Sequence, residues 1–176
     1  MSKVIPAVFY ILKYFCLNIV CPIIPHPKLR AFYLKFLGAK IGKNVRIENI
    51  KFIQIQCSVK NFRCGDNVFI GTGVIIDLSS TISIGSNSMV GVGCIFLTHQ
   101  DFGEFFDSKL SKIYPKEYSP ITIMEDVVVA CDSTLLPGTT IEIFTVVGAK
   151  SLVRGNLSGN AFAAGVPAKV VKRLLE

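Results

Sequence analysis

A chain of 176 residues fits one domain, and its 51% hydrophobic content, with 13 Phe, 14 Gly and no Trp, argues against disorder and suits a narrow core turned at glycine corners. The formal net charge of +7 favours anionic partners, but the basic residues are scattered at 3, 13, 28, 30, 35, 40, 43 and 46 and thicken again only after 150. They lack the aromatic interleaving of RNA-binding surfaces, so no nucleic-acid partner is expected, and the six cysteines at 16, 21, 57, 64, 94 and 131 form neither a CxxC nor a close Cys/His pair, so neither a metal site nor a disulfide framework is expected.

Residues 4–24 are strongly apolar, with Lys13 inside and Pro6 and Pro22 near the ends. The stretch between the prolines is shorter than the roughly 20 residues a membrane span requires, and it has no secretory cleavage signal. Two readings remain open: a helix packed on the body of the protein or on a neighbouring subunit, and an interfacial helix making peripheral membrane contact, helped by Lys3, Lys28, Arg30 and Lys35. Residues 27–37 predict a second short helix stopped by Gly38, so 1–38 reads as an apolar, helical N-terminal segment.

From Ile41 the aliphatic residues recur every six positions: Ile41, Ile47, Ile53 and Val59, then, after a one-residue slip, Cys64, Ile70 and Ile76. A two-residue insertion at 78–80 precedes Ile84, Val90 and Phe96, and the ladder resumes as Ile123, Val129, Leu135, Ile141, Val147 and Val153. Helices repeat a buried face about every 3.6 residues and strands every 2, so a period of six belongs to neither. It is the pattern of a hexapeptide parallel β-helix, an all-β solenoid that puts one aliphatic side chain inward at every corner of a triangular coil. With three hexapeptides per coil, about five coils are expected over 39–160, followed by a C-terminal segment at 161–176.

Between 99 and 120 the period disappears into a polar and aromatic loop broken by Pro115 and Pro120. Long insertions in compact domains tend to carry function, and His99 stands where the ladder breaks. A histidine there is placed to act as a general base or to be a loop residue bonded to backbone. His26, between Pro25 and Pro27, reads as structural.

Thr98-His99 before the loop, the run 117–123, Leu136-Pro137-Gly138-Thr139-Thr140-Ile141, Val147-Gly148-Ala149 and the run from Ala164 to Arg173 together resemble the left-handed β-helix acyltransferases, nearest to the galactoside, maltose and polysaccharide O-acetyltransferases. The resemblance covers 38–173 and supplies the left hand of the coil, which periodicity does not. It implies a homotrimer that uses acetyl-CoA, with His99 as the base that deprotonates an acceptor hydroxyl. Glu117, ahead of its rival Asp101, would orient that histidine or bind acceptor. It also implies a cofactor groove at Ala130, Gly148, Ala149, Ala164, Gly165 and Pro167, with Lys150, Arg154, Lys169, Lys172 and Arg173 as candidates for the phosphates. The chain departs from the family pattern at Met124, Val128, Ala130 and Lys150.

The expected activity is therefore acetyl transfer to a sugar or glycan hydroxyl, in the cytoplasm or at the inner face of its membrane. A noncatalytic trimeric β-helix scaffold and an amino-sugar N-acyltransferase are the alternatives.

Overall fold

The structure is a computed structural model and describes residues 4–106 and 108–175; Met1 to Lys3 lie outside it. Three parallel walls of short strands stack into a triangular solenoid. Strand register sets the inward columns. The first wall stacks Ile41, Cys64, Ile84, Ile123, Ile141 and Leu157. The second stacks Ile47, Ile70, Val90, Val129, Val147 and Ala163. The third stacks Phe52, Ile76, Phe96, Leu135 and Val153. Every member of these columns is at most 7% exposed, so they form one continuous apolar core.

Two details correct the six-residue reading. The first coil places Phe52 rather than Ile53 inward, opposite Ile76, and Val59 lies in a 3-10 turn outside the walls. The first wall has six strands, because Leu157 and Ala163 begin a sixth coil that the aliphatic ladder ending at Val153 does not announce.

The corners explain the polar residues between columns. Asn44, Asn67, Asn87, Asp126, Phe144 and Asn160 all have positive φ and share one corner. Asn44 Nδ2 donates to Asn67 Oδ1 and Asn67 Nδ2 to Asn87 Oδ1, each at 3.0 Å, so the left-handed turns of three successive coils are tied by their own side chains.

Both open ends of the solenoid are covered. An α-helix over Val4–Tyr14 continues through a π-helical turn, Phe15–Val20, to Cys21–Ile23, and a second helix spans Pro27–Phe36. Leu17, Cys21, Ala31 and Leu34 are buried with the first coil in a common core. The exposed edges of the first strands would leave backbone groups unpaired. Asn18 meets one: its Nδ2 donates to Phe52 O at 3.0 Å and its Oδ1 accepts from Phe52 N–H at 2.9 Å. Arg30 meets another, donating to Ile47 O at 3.1 Å and Ile24 O at 2.8 Å while pairing with Glu48 at 3.1 Å. At the far end the strand Ala168–Arg173 folds back antiparallel on Ala161–Gly165. Among the described residues no helix is long and apolar enough to cross a membrane.

Candidate active site

Gln54, Asp77 and His99 come from three successive coils at the same corner. Ile53 and Asp77 are register partners, and His99 follows Phe96, the partner of Ile76. The insertion at 78–80 wraps the Asp77 carboxylate. Ser79 N–H donates to Oδ1 at 2.9 Å, and Thr98 N–H and His99 N–H donate to Oδ2 at 2.9 and 3.2 Å. Ser80 N–H donates to Thr98 Oγ1 at 2.9 Å, and Thr98 Oγ1–H donates to Asp77 O at 3.1 Å, closing the turn.

Asp77 is wholly buried, and its Oδ2 lies 2.5 Å from His99 Nδ1. Burial by itself raises the carboxyl pKa, but the hydrogen bonds from His99, Ser79 and Thr98 together outweigh it and hold the group below its usual value. An ionised carboxylate at Nδ1 fixes the proton there and leaves Nε2 as the lone-pair nitrogen. Ser79 Oγ lies 3.2 Å from the same Nδ1. Nε2 accepts from the Gln54 amide at 3.2 Å, and Gln54 Oε1 accepts in turn from Gln56 Nε2. The arrangement is an oriented imidazole whose outer nitrogen is able to take a proton.

Neither carboxylate expected beside His99 is its partner. The segment 99–120 is structured: His99–Gln100 and Glu117–Tyr118 pair as an antiparallel ribbon, with a short helix at Lys109–Ile113 beyond it. Glu117 stands opposite Gln100 and faces solvent, while Tyr118 stands opposite His99 and stacks on its ring at 6.4 Å. Asp101 is committed to the turn. Its Oδ1 accepts from Glu104 and Gly103 N–H, which lower its pKa, and its Oδ2 pairs with Lys116 at 3.3 Å. Neither carboxylate bonds Nδ1, because Glu117 pairs across from Gln100 and Asp101 is held in the turn beyond the ribbon, and the place is taken by Asp77 one coil below.

Asp77 had a readable signal: it is the lone carboxylate inside the apolar run 74–78, with Thr98-His99 one coil further along. Ser79 and Gln54 carried none, since both stand in turns.

His99, Gln100, Glu117, Leu97, Leu136, Pro137 and Arg154 line a single open depression of about 280 Å³. Arg154 therefore sits at the histidine corner, apart from the other residues of the expected cofactor groove. All of those but Arg173, which pairs with Ala161 at the corner before the second wall, cluster at the corner after it. Ala130 N–H bonds Val147 O at 2.9 Å and Gly148 N–H bonds Ala163 O at 2.8 Å, which stacks Ala130, Gly148 and Ala164 on consecutive coils. A Cβ on Gly148 would stand 2.9 Å from that of Ala164. Ser151 and Ser133 pin this corner: both hydroxyls donate to Gly148 O, at 2.6 and 3.1 Å, and Gly165 N–H donates to Ser151 Oγ at 3.2 Å. Ala149 and Lys150 are exposed beside it, Lys150 with φ of 56°. Gly165 and Pro167 form the tip of the C-terminal hairpin, where Lys169 faces Ala164 and Arg173 faces Ala161. Arg173 also donates to Gly159 O at 2.7 Å. The strand Leu152–Val153 joins this corner to Arg154, so one strand of the third wall separates the small-residue corner from the histidine. Among the described residues no three His, Cys, Asp or Glu gather as a metal site.

No family model matches the chain. It is 33% identical over 147 residues, 84% of its own length and 76% of the relative's, to WcaF of Escherichia coli (strain K12), assigned to acetyl transfer in colanic acid biosynthesis. It is 35% identical over 115 residues, 61% of this chain and 58% of the relative, to WbbJ of the same strain, assigned to O-acetyl transfer in lipopolysaccharide biosynthesis. Among solved structures, a hexapeptide-repeat acetyltransferase of Vibrio cholerae in complex with acetyl coenzyme A superposes with a TM-score of 0.80, covering 93% of this chain and 86% of that one at 21% identity. A maltose O-acetyltransferase from Clostridium difficile 630 gives 0.78 at 24% identity, covering 93% and 87%. The coil is the left-handed β-helix of these structures.

Proposed function

The chain belongs to the hexapeptide-repeat acetyltransferases, and from that premise we propose that it transfers the acetyl group of acetyl-CoA to a sugar hydroxyl during glycan or polysaccharide synthesis in the cytoplasm. The observation that carries this reading is the buried Asp77–His99 pair, which presents Nε2 at a depression shared with Glu117 and Arg154. The acceptor hydroxyl displaces the Gln54 amide and gives its proton to Nε2 as its oxygen attacks the thioester carbonyl. The imidazolium, held against Asp77, then returns that proton to the departing thiolate as the C–S bond breaks, leaving an acetyl ester and free CoA. Glu117, exposed at the rim, is assigned to acceptor binding. The small-residue corner at Ala130, Gly148, Ala149, Ala164, Gly165 and Pro167 suits the pantetheine arm, and Lys150, Lys169 and Arg173 supply cations for the phosphates, while Arg154, beside His99, is placed to meet the reacting end or the acceptor instead. A homotrimer would close the open depression against a neighbouring copy; light scattering at three times the chain mass is the expected result.

The test is thiol release from acetyl-CoA against a panel of sugars, nucleotide sugars and lipid-linked glycans, with His99→Ala alongside. Acceptor-dependent release lost in the variant supports the proposal. Release retained in the variant removes His99 as the base, and an alkali-stable product identifies an N-acyl rather than an O-acetyl transfer. No release with any acceptor, together with no acetyl-CoA binding, points to a scaffold.

A further inference from the structure

The two helices that close the first coil leave a large apolar surface outside. On the helix Pro27–Phe36, Arg30, Ala31 and Leu34 face the solenoid. Leu29, Phe32 and Phe36 occupy the opposite face, 55%, 70% and 80% exposed. Lys28 and Lys35 are exposed on the flank of the same face and line a shallow depression with Phe32. On the other flank Tyr33 Oη–H donates to Cys16 O at 3.3 Å, which sets the first helix alongside. That helix continues the surface: Val8, Phe9, Ile11, Leu12 and Phe15 are each more than half exposed, as is Ile23 beyond the π turn. Single exposed apolar residues need no explanation, but a contiguous face of this size does.

Charge is distributed to match. Eight lysines and arginines precede the first carboxylate of the chain, Glu48, and the remaining 11 cations are balanced by all 12 carboxylates. The whole positive excess of the protein therefore belongs to its first 47 residues, seven of the eight cations falling in the helical cap and the start of the first coil. One of these cations, Arg30, is engaged by Glu48.

We propose that this cap is a docking surface for an anionic lipid bilayer, with the aromatic and aliphatic face entering the interface and Lys28 and Lys35 against acidic headgroups. A second copy of the chain fits less well, because cap against cap would bring two cationic surfaces together with no carboxylate to pair them. Copies packed side by side through the walls leave the outer face of Pro27–Phe36 bare, since it points along the solenoid axis. Leu17 and Cys21 are buried and Asn18 is bonded to Phe52, which holds the second half of the first helix to the coil, while residues 7–12 of its first half are exposed on every side and available to the interface. His99 is on the third coil, two strand spacings of about 4.8 Å from the first, with a helix layer of roughly 10 Å beyond. Docking would hold the histidine about 20 Å from the lipid surface, within reach of a glycan carried on a lipid.

The measurement is co-sedimentation of the full chain with vesicles of phosphatidylcholine alone and with phosphatidylglycerol added, for the wild type, Phe32→Ser/Phe36→Ser, Lys28→Glu/Lys35→Glu and His99→Ala. The expected results are at least tenfold tighter binding to the phosphatidylglycerol vesicles and at least a tenfold loss in the phenylalanine variant. The lysine variant is expected to lose the preference for anionic lipid. His99→Ala is expected to bind vesicles as the wild type does, so loss of acetyl transfer and loss of docking are read separately. The phenylalanines are solvent-facing, and an unchanged circular dichroism spectrum checks that the variant folds. Absence of wild-type binding to either vesicle, or equal binding by the phenylalanine variant, overturns the proposal. So does a smaller assembly in light scattering for that variant when wild-type vesicle binding is absent, which would make the face a protein interface.

Discussion

Asp77 and His99 stand on consecutive coils of the solenoid, and the 2.5 Å contact between Oδ2 and Nδ1 exists only because the coils stack. The carboxylate is held by Ser79, Thr98 and His99 N–H groups, so its position is set by backbone on two coils. Asp77→Asn keeps the size but removes the charge that fixes the Nδ1 proton and stabilises the imidazolium. We expect kcat for acetyl transfer to fall by about 100-fold or more with the KM for acetyl-CoA little changed. Steady-state thiol release decides it, and a kcat within threefold of wild type would exclude Asp77 as the orienting group.

The same relationship separates what the sequence displays from what it hides. Inward columns are legible because each coil must place an aliphatic residue at the same point, and the six-residue period survives from Ile84 to Phe96 and from Ile123 to Val153. It fails at the first coil, where Phe52 rather than Ile53 points inward. It also fails at the sixth, where Ala163 is too small to register as a rung. Contacts between coils depend on register across some 20 residues, so His99 was visible at the break in the pattern while its partner was not. Glu117 and Asp101, both within the loop segment, are the natural expectation, yet Glu117 stands on the rim of the ribbon and Asp101 is committed to the turn that follows it. Asn18 and Arg30 gave no signal because their partners are the backbone edges of strands that only the fold exposes.

Asp77 also couples stability to acid. Its carboxyl is held below the ordinary value in the folded chain, so its stabilising contribution is present above the unfolded pKa, about 4. The contribution is lost as pH falls through the folded value. Urea unfolding of the wild type and Asp77→Asn is expected to show the larger difference at pH 7 and a shrinking one below about pH 4. A difference independent of pH would mean that the carboxylate is not charged in the folded state.

Gln54 occupies the lone pair that the base must use, from a backbone at φ of 52°. An acceptor hydroxyl that takes its place can receive the released amide as a hydrogen-bond partner. Gln54→Leu is expected to raise the KM for the acceptor about tenfold, the effect of roughly one lost hydrogen bond. The KM for acetyl-CoA is expected to stay constant and kcat to remain within threefold. If acceptor KM is unchanged, Gln54 takes no part in acceptor binding.

Asn18 acts on the fold, at the capped end of the solenoid. Its amide satisfies both Phe52 N–H and Phe52 C=O at the open edge of the first coil. Asn18→Ala leaves both partly buried groups without that partner and is expected to lower unfolding free energy by about 2 kcal/mol. Asn18→Asp should recover part of this, since a carboxylate still accepts from Phe52 N–H but cannot donate to Phe52 O. Denaturant titration of the two variants would show equal losses if the contact were incidental.

Phe144 shares its corner with Asn44, Asn67, Asn87, Asp126 and Asn160, and it is the one aromatic there, at φ of 53° and 47% exposed. A left-handed backbone costs an ordinary side chain about 1 kcal/mol or more, and asparagine less, because its amide can bond locally. The chain already uses asparagine for this turn on three consecutive coils. Phe144→Asn removes the strain at the expense of a half-exposed ring, so unfolding free energy is expected to rise by about 0.5–1 kcal/mol. A fall of the same size in thermal or urea unfolding would instead mean that packing of the ring against neighbouring residues outweighs the conformational cost.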